Sequence, residues 1–276
     1  MPSATAQSTW DARIARAREL ASIRPAAREL LAFYAGLADY QRTLAASALD
    51  AGAFDVAHVV EAIPGFLAWV RRAGKADLAE SVDVDCVASA FMQTSNDSHS
   101  LPAQDGSRPS EEGVASGSSR KDASDTANPA EQFVIESLLQ AFAEHLVAAD
   151  PPASGSIPMR CPRCAALPVA AVLREEGHGA RRFLLCALCL HEWECLRIVC
   201  PACGEQEFDK LPAYTAGQFA HVRIDACDRC HRYIKTIDLT KDGLAVPCVD
   251  DIASVSLDLW ARERGYTRLK RNVLGF

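Results

Sequence analysis

The sequence predicts an α+β protein: an N-terminal all-α helical domain, then two tandem cysteine-rich metal modules, then a C-terminal helix. Three observations carry that expectation. Apolar residues recur at helical spacing over the first ninety positions, cysteines concentrate in the second half, and an apolar helical face closes the chain.

The helical part begins with Ile14, Ala17 and Ala21, spaced as one helix face. Pro25 suits the first turn of the next helix, where its missing N–H would be unpaired anyway. Leu30, Leu31, Tyr34, Leu37, Ala38 and Leu44 then form its apolar stripe. Val56, Val59, Val60 and Ile63 predict a third helix, with Asp55 as its N-cap. Pro64 is expected to end it, and Phe66, Trp69 and Val70 to begin another. Leu78, Val82 and Cys86 mark the last helix of this group. From Gln93 to Pro129 the chain is Ser-rich, mixed in charge and without aromatics. It cannot bury enough apolar area to offset its ordering entropy, so a disordered insertion is expected there. Periodicity returns at Phe133, Val134, Leu138, Leu139, Phe142 and Leu146, which gives a helical domain over 1–150 interrupted at about 93–129. Pro151, Pro152, Gly155 and Pro158 crowd the boundary that follows.

Beyond Met159 the expected elements are short strands: Val169–Leu173, Arg182–Leu185, Trp193–Val199, Val222–Asp225 and Tyr233–Asp238. Ile252, Val255, Ser256, Leu259 and Trp260 share a face of the closing helix within 250–276. Asp250 or Asp251 is its expected cap, and Gly265 stands just past its end.

The 276 residues include 11 cysteines, ten of them between Cys161 and Cys248. The N-terminus lacks a signal-peptide stretch and no window is apolar enough to cross a membrane, so a cytoplasmic protein is expected. In a reducing compartment, cysteines at such density are metal ligands or redox groups more often than disulfides. Four C-x-x-C pairs occur: Cys161/Cys164, Cys186/Cys189, Cys200/Cys203 and Cys227/Cys230. Two intervening residues let one tight turn offer both sulfurs to one ion, and a tetrahedral site needs a second such turn. The gaps between pairs, 21 residues and 23 residues, are matched, and the unit repeats after 39 to 41 positions. Two tandem rubredoxin-like or zinc-ribbon-like modules follow, at 159–199 and 200–249, each with four thiolate ligands. Sequential pairing closes the shorter loops; crossed pairing stays open. Iron and zinc both suit tetrahedral sulfur. Cys86, Cys195 and Cys248 are expected as small buried hydrophobes, and His178, His191, His221 and His231 as ordinary surface or supporting residues.

The charge is −7 overall, split as −9 for residues 1–150 and +2 for the remainder. Two divalent ions on eight thiolates would bring the second half to about −2, so no nucleic-acid partner is expected. No G-x-S-x-G, H-E-x-x-H, Walker A or G-x-G-x-x-G motif in a catalytic context is present, and four thiolates leave a metal no open position for substrate. A non-enzymatic protein is expected, with a nucleic-acid-binding ribbon or a rubredoxin-like electron carrier as alternatives.

Cys161-Pro162-Arg163-Cys164 with Pro168-Val169-Ala170, Leu185-Cys186-Ala187-Leu188-Cys189 leading to Glu192-Trp193, and Arg197-Ile198-Val199-Cys200-Pro201-Ala202-Cys203-Gly204 resemble the formate dehydrogenase accessory protein FdhE family. So do Cys227-Asp228-Arg229-Cys230, Tyr233-Ile234-Lys235 and the segment Asp251 to Gly265, which extends the resemblance over 159–276. The resemblance implies a cytoplasmic, non-catalytic maturation factor that binds the catalytic subunit of formate dehydrogenase. It also implies two rubredoxin-like iron sites, with zinc as the alternative, on the eight paired cysteines. Ala165 departs from the family's usual Gly after the first knuckle. That position often needs positive φ, so a weaker or differently shaped first site is expected.

Overall fold

The computed structural model describes residues 4–50, 56–97, 128–146, 159–177 and 179–276. Most of the expected insertion, at 98–127, lies outside the described residues, as do Asp55, His178 and the Pro-rich boundary at 147–158. The chain divides into two compact units, 1–54 with 136–276, and 55–135.

The first unit opens with α1 (Ala4–Ile23), whose Trp10, Ile14, Ala17 and Leu20 are buried at helical spacing. A single 3₁₀ turn at Pro25–Ala27 leads into α2 (Arg28–Asp50), which buries Leu31, Tyr34, Leu37 and Ala38. The C-terminal part of α6 (Pro129–Leu146) joins them: Gln41 Nε2 donates to the Ser137 carbonyl at 2.8 Å. These helices accompany a seven-stranded sheet built from β1 (Pro168–Glu176), β2 (Gly179–Cys186), β3 (Glu192–Cys195), β4 (Ala213–Thr215), β5 (Val222–Ala226), β6 (Arg232–Asp238) and β7 (Thr267–Arg268).

The repeat read from cysteine spacing is also a repeat of strands. Each module runs knuckle, strand, strand, knuckle, strand. β1, β2 and β3 pair antiparallel in sequence, and so do β4, β5 and β6. The second knuckle of each module is the turn of a hairpin, β2 to β3 in one and β5 to β6 in the other. The modules then fuse, because β1 pairs parallel with β6, Ala170 opposite Lys235 and Leu173 opposite Asp238, giving the order β3-β2-β1-β6-β5-β4. β1 and β6 are central, and both are buried along most of their length.

α7 (Pro247–Ala253) and α8 (Val255–Glu263) replace the one closing helix expected from periodicity. The break is at Ser254, whose hydroxyl donates to the Asp250 and Asp251 carbonyls and so competes with helical pairing. Asp250 and Asp251 do not cap. Val246 holds the cap position with Pro247 in the first turn, and both aspartates are buried inside α7. Gly265 follows α8 at φ +81°, as a chain reversal there requires. β3 stops at Cys195, short of the expected Val199, and Leu196 and Ile198 are exposed.

In the second unit, α3 (Val56–Arg72) runs straight through Pro64, which was expected to end it. Pro64 is exposed, while Val59, Ile63, Phe66, Leu67 and Val70 around it are buried. Burial at about 1.5–3 kcal/mol per large apolar side chain outweighs the roughly 3 kcal/mol that an internal proline costs. Trp69 and Phe133 flank Phe66 at ring distances of 5.6 Å and 5.8 Å. The last expected helix is two, α4 (Ala76–Glu80) and α5 (Val84–Asp97), because Asp83 Oδ1 accepts the Asp85 and Cys86 N–H groups as an N-cap. α5 therefore continues four residues past Gln93, where disorder was expected to begin.

Candidate metal centres

Each C-x-x-C pair sits in a turn of one design. The N–H of its first cysteine donates to the carbonyl five residues on: Cys161 to Ala166, Cys186 to His191, Cys200 to Glu205, Cys227 to Arg232, at 2.8–2.9 Å. In three turns the residue after the second cysteine donates back to the first, Ala165 to Cys161, Gly204 to Cys200 and His231 to Cys227. That residue has positive φ in all four: Ala165 (58°), Leu190 (52°), Gly204 (76°) and His231 (54°). Three of the four turns accept a side chain in a conformation that favours glycine. Ala165 therefore adopts the same turn as its counterparts instead of a different shape.

The turns bring the eight sulfurs together as two quartets, Cys161/Cys164/Cys186/Cys189 and Cys200/Cys203/Cys227/Cys230, each with its sulfurs within 4.8 Å of one another. The pairing is sequential. Sulfur–sulfur contacts are 3.3 Å for Cys164–Cys186, 3.5 Å for Cys161–Cys189, and 3.7 Å for both Cys200–Cys230 and Cys203–Cys227. A tetrahedron with metal–sulfur bonds of about 2.3 Å has edges of about 3.8 Å, so either quartet could hold one ion. These contacts are far longer than the about 2.05 Å of a disulfide.

Backbone N–H groups aim at the sulfurs as well. Leu188 and Cys189 donate to Cys186 Sγ at 3.3 Å and 3.4 Å, and Ala202 and Cys203 supply the same pattern to Cys200. Such donors favour thiolates, but four in contact repel one another, and the thiols split accordingly. Sulfur hydrogen bonding with Cys186 and Cys189 holds Cys164 down to about 2, whereas Cys186 is pushed up to about 12 by its bond to Cys164. In the second quartet burial pushes Cys200 up and takes Cys230 to about 11. Burial also opposes Cys203, yet the Glu205 N–H and its three cysteine neighbours bring it below its ordinary value. A cation among the four sulfurs resolves the conflict, because it lets all ionise together.

The remaining cysteines part ways. Cys195 is buried beside Trp193 and Leu184, as expected. Cys248 is half-buried and accepts from Tyr34 Oη at 3.6 Å. Cys86 is exposed, contrary to expectation, and its thiol faces Glu131 Oε2 at 3.4 Å. None of the described histidines joins a quartet. His221 bonds Asp250 at 2.8 Å and, with Asp242, forms a third ligand-like group. Arg16 already supplies the cation there, with NH2 at 2.7 Å from Asp242 and 2.8 Å from Asp250.

Sequence reasoning missed a second charged cluster. Lys235 on β6 is fully buried, with Nζ 2.6 Å from Asp258 and 3.1 Å from Asp251. Arg268 on β7 pairs with both aspartates, Asn272 donates to Asp251, and Tyr233 to Asp258. Two cations balance two carboxylates, which is the condition for burying them. The one sequence signal is that Lys235 alternates with apolar residues inside a strand.

Tandem three-stranded ribbons with two cysteine quartets define a two-site knuckle protein carrying a helical partner layer. Residues 160–197 match the family model "FdhE, central domain" and residues 198–274 match "FdhE, C-terminal domain". The chain is 44% identical over 117 residues to "Protein FdhE homolog" of Aquifex aeolicus, covering 42% of this chain and 41% of that one. It is 36% identical over 114 residues to "Protein FdhE homolog" of Shewanella oneidensis, covering 41% and 37%. The matched segment thus spans about two fifths of these curated relatives. The fold is shared with the crystal structure of the FdhE protein from Pseudomonas aeruginosa, at TM-score 0.65 and 21% identity over 96% of this chain and 94% of that one. No described helix is long and apolar enough to cross a membrane.

Proposed function

We propose that this protein is a non-catalytic accessory factor in the maturation of formate dehydrogenase. It acts in the cytoplasm, binds one metal ion at each cysteine quartet, and docks on the enzyme's catalytic subunit. The observation that carries the reading is the pair of quartets on FdhE-family modules. Iron of the rubredoxin type is the proposed ion, with zinc as the alternative for the same sulfurs. Bound iron would supply a one-electron couple, and zinc a purely structural brace.

This chain's own residues support a docking role. Four protein donors per quartet close the coordination sphere, which argues against substrate chemistry at the metal. The turns that carry them are fixed by ligation and by the backbone bonds above, so a partner meets a surface whose ordering is already complete. Co-purification with the catalytic subunit tests the reading, comparing wild type with Cys161→Ser/Cys164→Ser and Cys200→Ser/Cys203→Ser. Capture by wild type and its loss in either variant is expected. No capture by the metal-loaded wild type, or full formate dehydrogenase activity in cells lacking the protein, overturns it.

A further inference from the structure

The two quartets share a coordination pattern but not an environment. In the first, Cys161, Cys186 and Cys189 are buried at 3%, 0% and 7% exposure, and only Cys164 reaches partial exposure. Those three cysteines belong to an apolar cluster with Ala171, Leu184, Trp193, Val199, Ile234 and Leu269. In the second, Cys200 and Cys227 are buried, Cys230 is half-exposed and Cys203 is exposed. None of its four sulfurs joins either apolar cluster described on the sheet. Beside it lies an open hollow lined by Glu205, Glu207, Lys210, Asp228 and Arg229. Each quartet has one half-exposed cysteine, Cys164 or Cys230, but only the second has a fully exposed one, Cys203.

We propose that Cys203 is a site of oxidative modification, and that peroxide acting there empties the second quartet while the first keeps its ion. Thiolate character and access decide which cysteine a peroxide attacks, and Cys203 is the most accessible of the eight ligands. Its sulfur displaces hydroxide from the peroxide O–O bond and becomes a sulfenic acid. The Cys227 thiolate, 3.7 Å away, then attacks that sulfur, forms the disulfide and expels the second hydroxide. Two electrons pass from the two sulfurs to the peroxide, and two of the four ligands are gone. In the first quartet Cys161, Cys186 and Cys189 must be uncovered by local opening before they react, and Cys164 is less exposed than Cys203. This inference rests on the reading that both quartets hold a metal; it does not depend on the docking partner.

The test uses anaerobically purified, metal-loaded full-length protein, treated with limiting hydrogen peroxide or, separately, iodoacetamide. A pyridylazo-resorcinol dye reports released metal, and peptide mass mapping locates modified cysteines. One equivalent should leave at least about tenfold faster than the other, the factor that about 1.4 kcal/mol of extra opening free energy imposes. Among the eight quartet cysteines Cys203 should head the modification map, with the exposed Cys86 scored separately, and a Cys203–Cys227 disulfide should appear with peroxide alone. The Cys164→Ser variant, impaired only in the first quartet, should keep the fast phase, and Cys86→Ser, outside both quartets, should leave both phases unchanged. Two equivalents leaving together, or first modification at Cys164, refutes the inference while leaving metal binding intact. A protein purified without metal overturns the metal reading and this inference with it.

Discussion

Gly204 and Ala165 occupy equivalent positions in the two modules, and exchanging them tests whether the knuckle turn itself sets metal affinity. Both have positive φ, 76° and 58°, and both donate to the first cysteine of their turn at 2.9 Å. A Cβ built at Gly204 meets nothing within 4 Å, and Ala165 is exposed, so neither exchange adds a clash or removes much buried area. Only backbone energetics remain. Left-handed backbone costs a non-glycine residue about 1–2 kcal/mol, while glycine's freer unfolded chain costs about 0.4–1 kcal/mol in return. The net is about 0.5–1 kcal/mol, which is roughly a two- to fivefold change in metal dissociation constant when folding of the turn and binding are coupled. Gly204→Ala should weaken the second site by that factor, and Ala165→Gly should tighten the first. Competition against a chromophoric chelator measures both, with the unaltered quartet of each variant as internal reference. Unchanged affinity in Gly204→Ala, or weaker binding in Ala165→Gly, would refute the argument that these residues pay a conformational cost.

Removing the Lys235 cation in Lys235→Met leaves Asp251 and Asp258 with Arg268 alone; a broken buried pair costs about 3–5 kcal/mol. At about 2–4 °C per kcal/mol for a chain of this size, the thermal midpoint should fall by roughly 6–20 °C. A fall under about 2 °C by circular dichroism would show that the cluster is not energetically coupled. Burial raises the Asp251 carboxyl, but Arg268 and Lys235 overcome it and hold the group below its ordinary 3.8. Its folded value is depressed, so its stabilisation is present above 3.8 and fades as pH falls through the folded value. Lys235→Met should therefore flatten the acid limb of stability against pH in chemical denaturation, and an unaltered limb contradicts the pairing. In the other unit, Asp83→Ala should cost about 1 kcal/mol of local stability through loss of the α5 cap. Faster amide exchange at Asp85 and Cys86 reports it, and unchanged exchange denies the cap.

What the sequence made legible is what local chemistry determines. A C-x-x-C turn needs only six residues to close, and its partner lies about twenty positions away, so the quartets follow from spacing. The features that escaped are those decided by distant contacts. Pairing of β1 with β6 joins Ala170 to Lys235, and nothing in either strand names the other. β4 and β7, at three and two residues, are too short to leave a pattern. Pro64 reads as a stop because its cost is local, whereas the burial that overrides it comes from packing along the whole of α3. Ser254 and Asp83 break apparently continuous periodicities with single side-chain hydrogen bonds, which an apolar stripe cannot register.

The fused sheet sets two modules of like turn and strand order in different surroundings. The strand that leaves the first knuckle, β1, and the strand that leaves the fourth, β6, are hydrogen-bonded neighbours at the centre. Below that pair sit Lys235 on β6 and Arg268, which donates to the Val169 carbonyl on β1 and pairs with Asp251 on α7. A change of ligation at the outer quartet reaches this centre through β6, because Cys227 and Cys230 form the turn that starts it. The first quartet adjoins the same centre through Ala171 and Ile234, which share its apolar cluster. The arrangement therefore joins a more buried cysteine quartet and a more exposed one through a shared, charge-balanced core. Loss of the more exposed quartet should loosen the β5–β6 hairpin first, while the apolar packing around the first quartet persists.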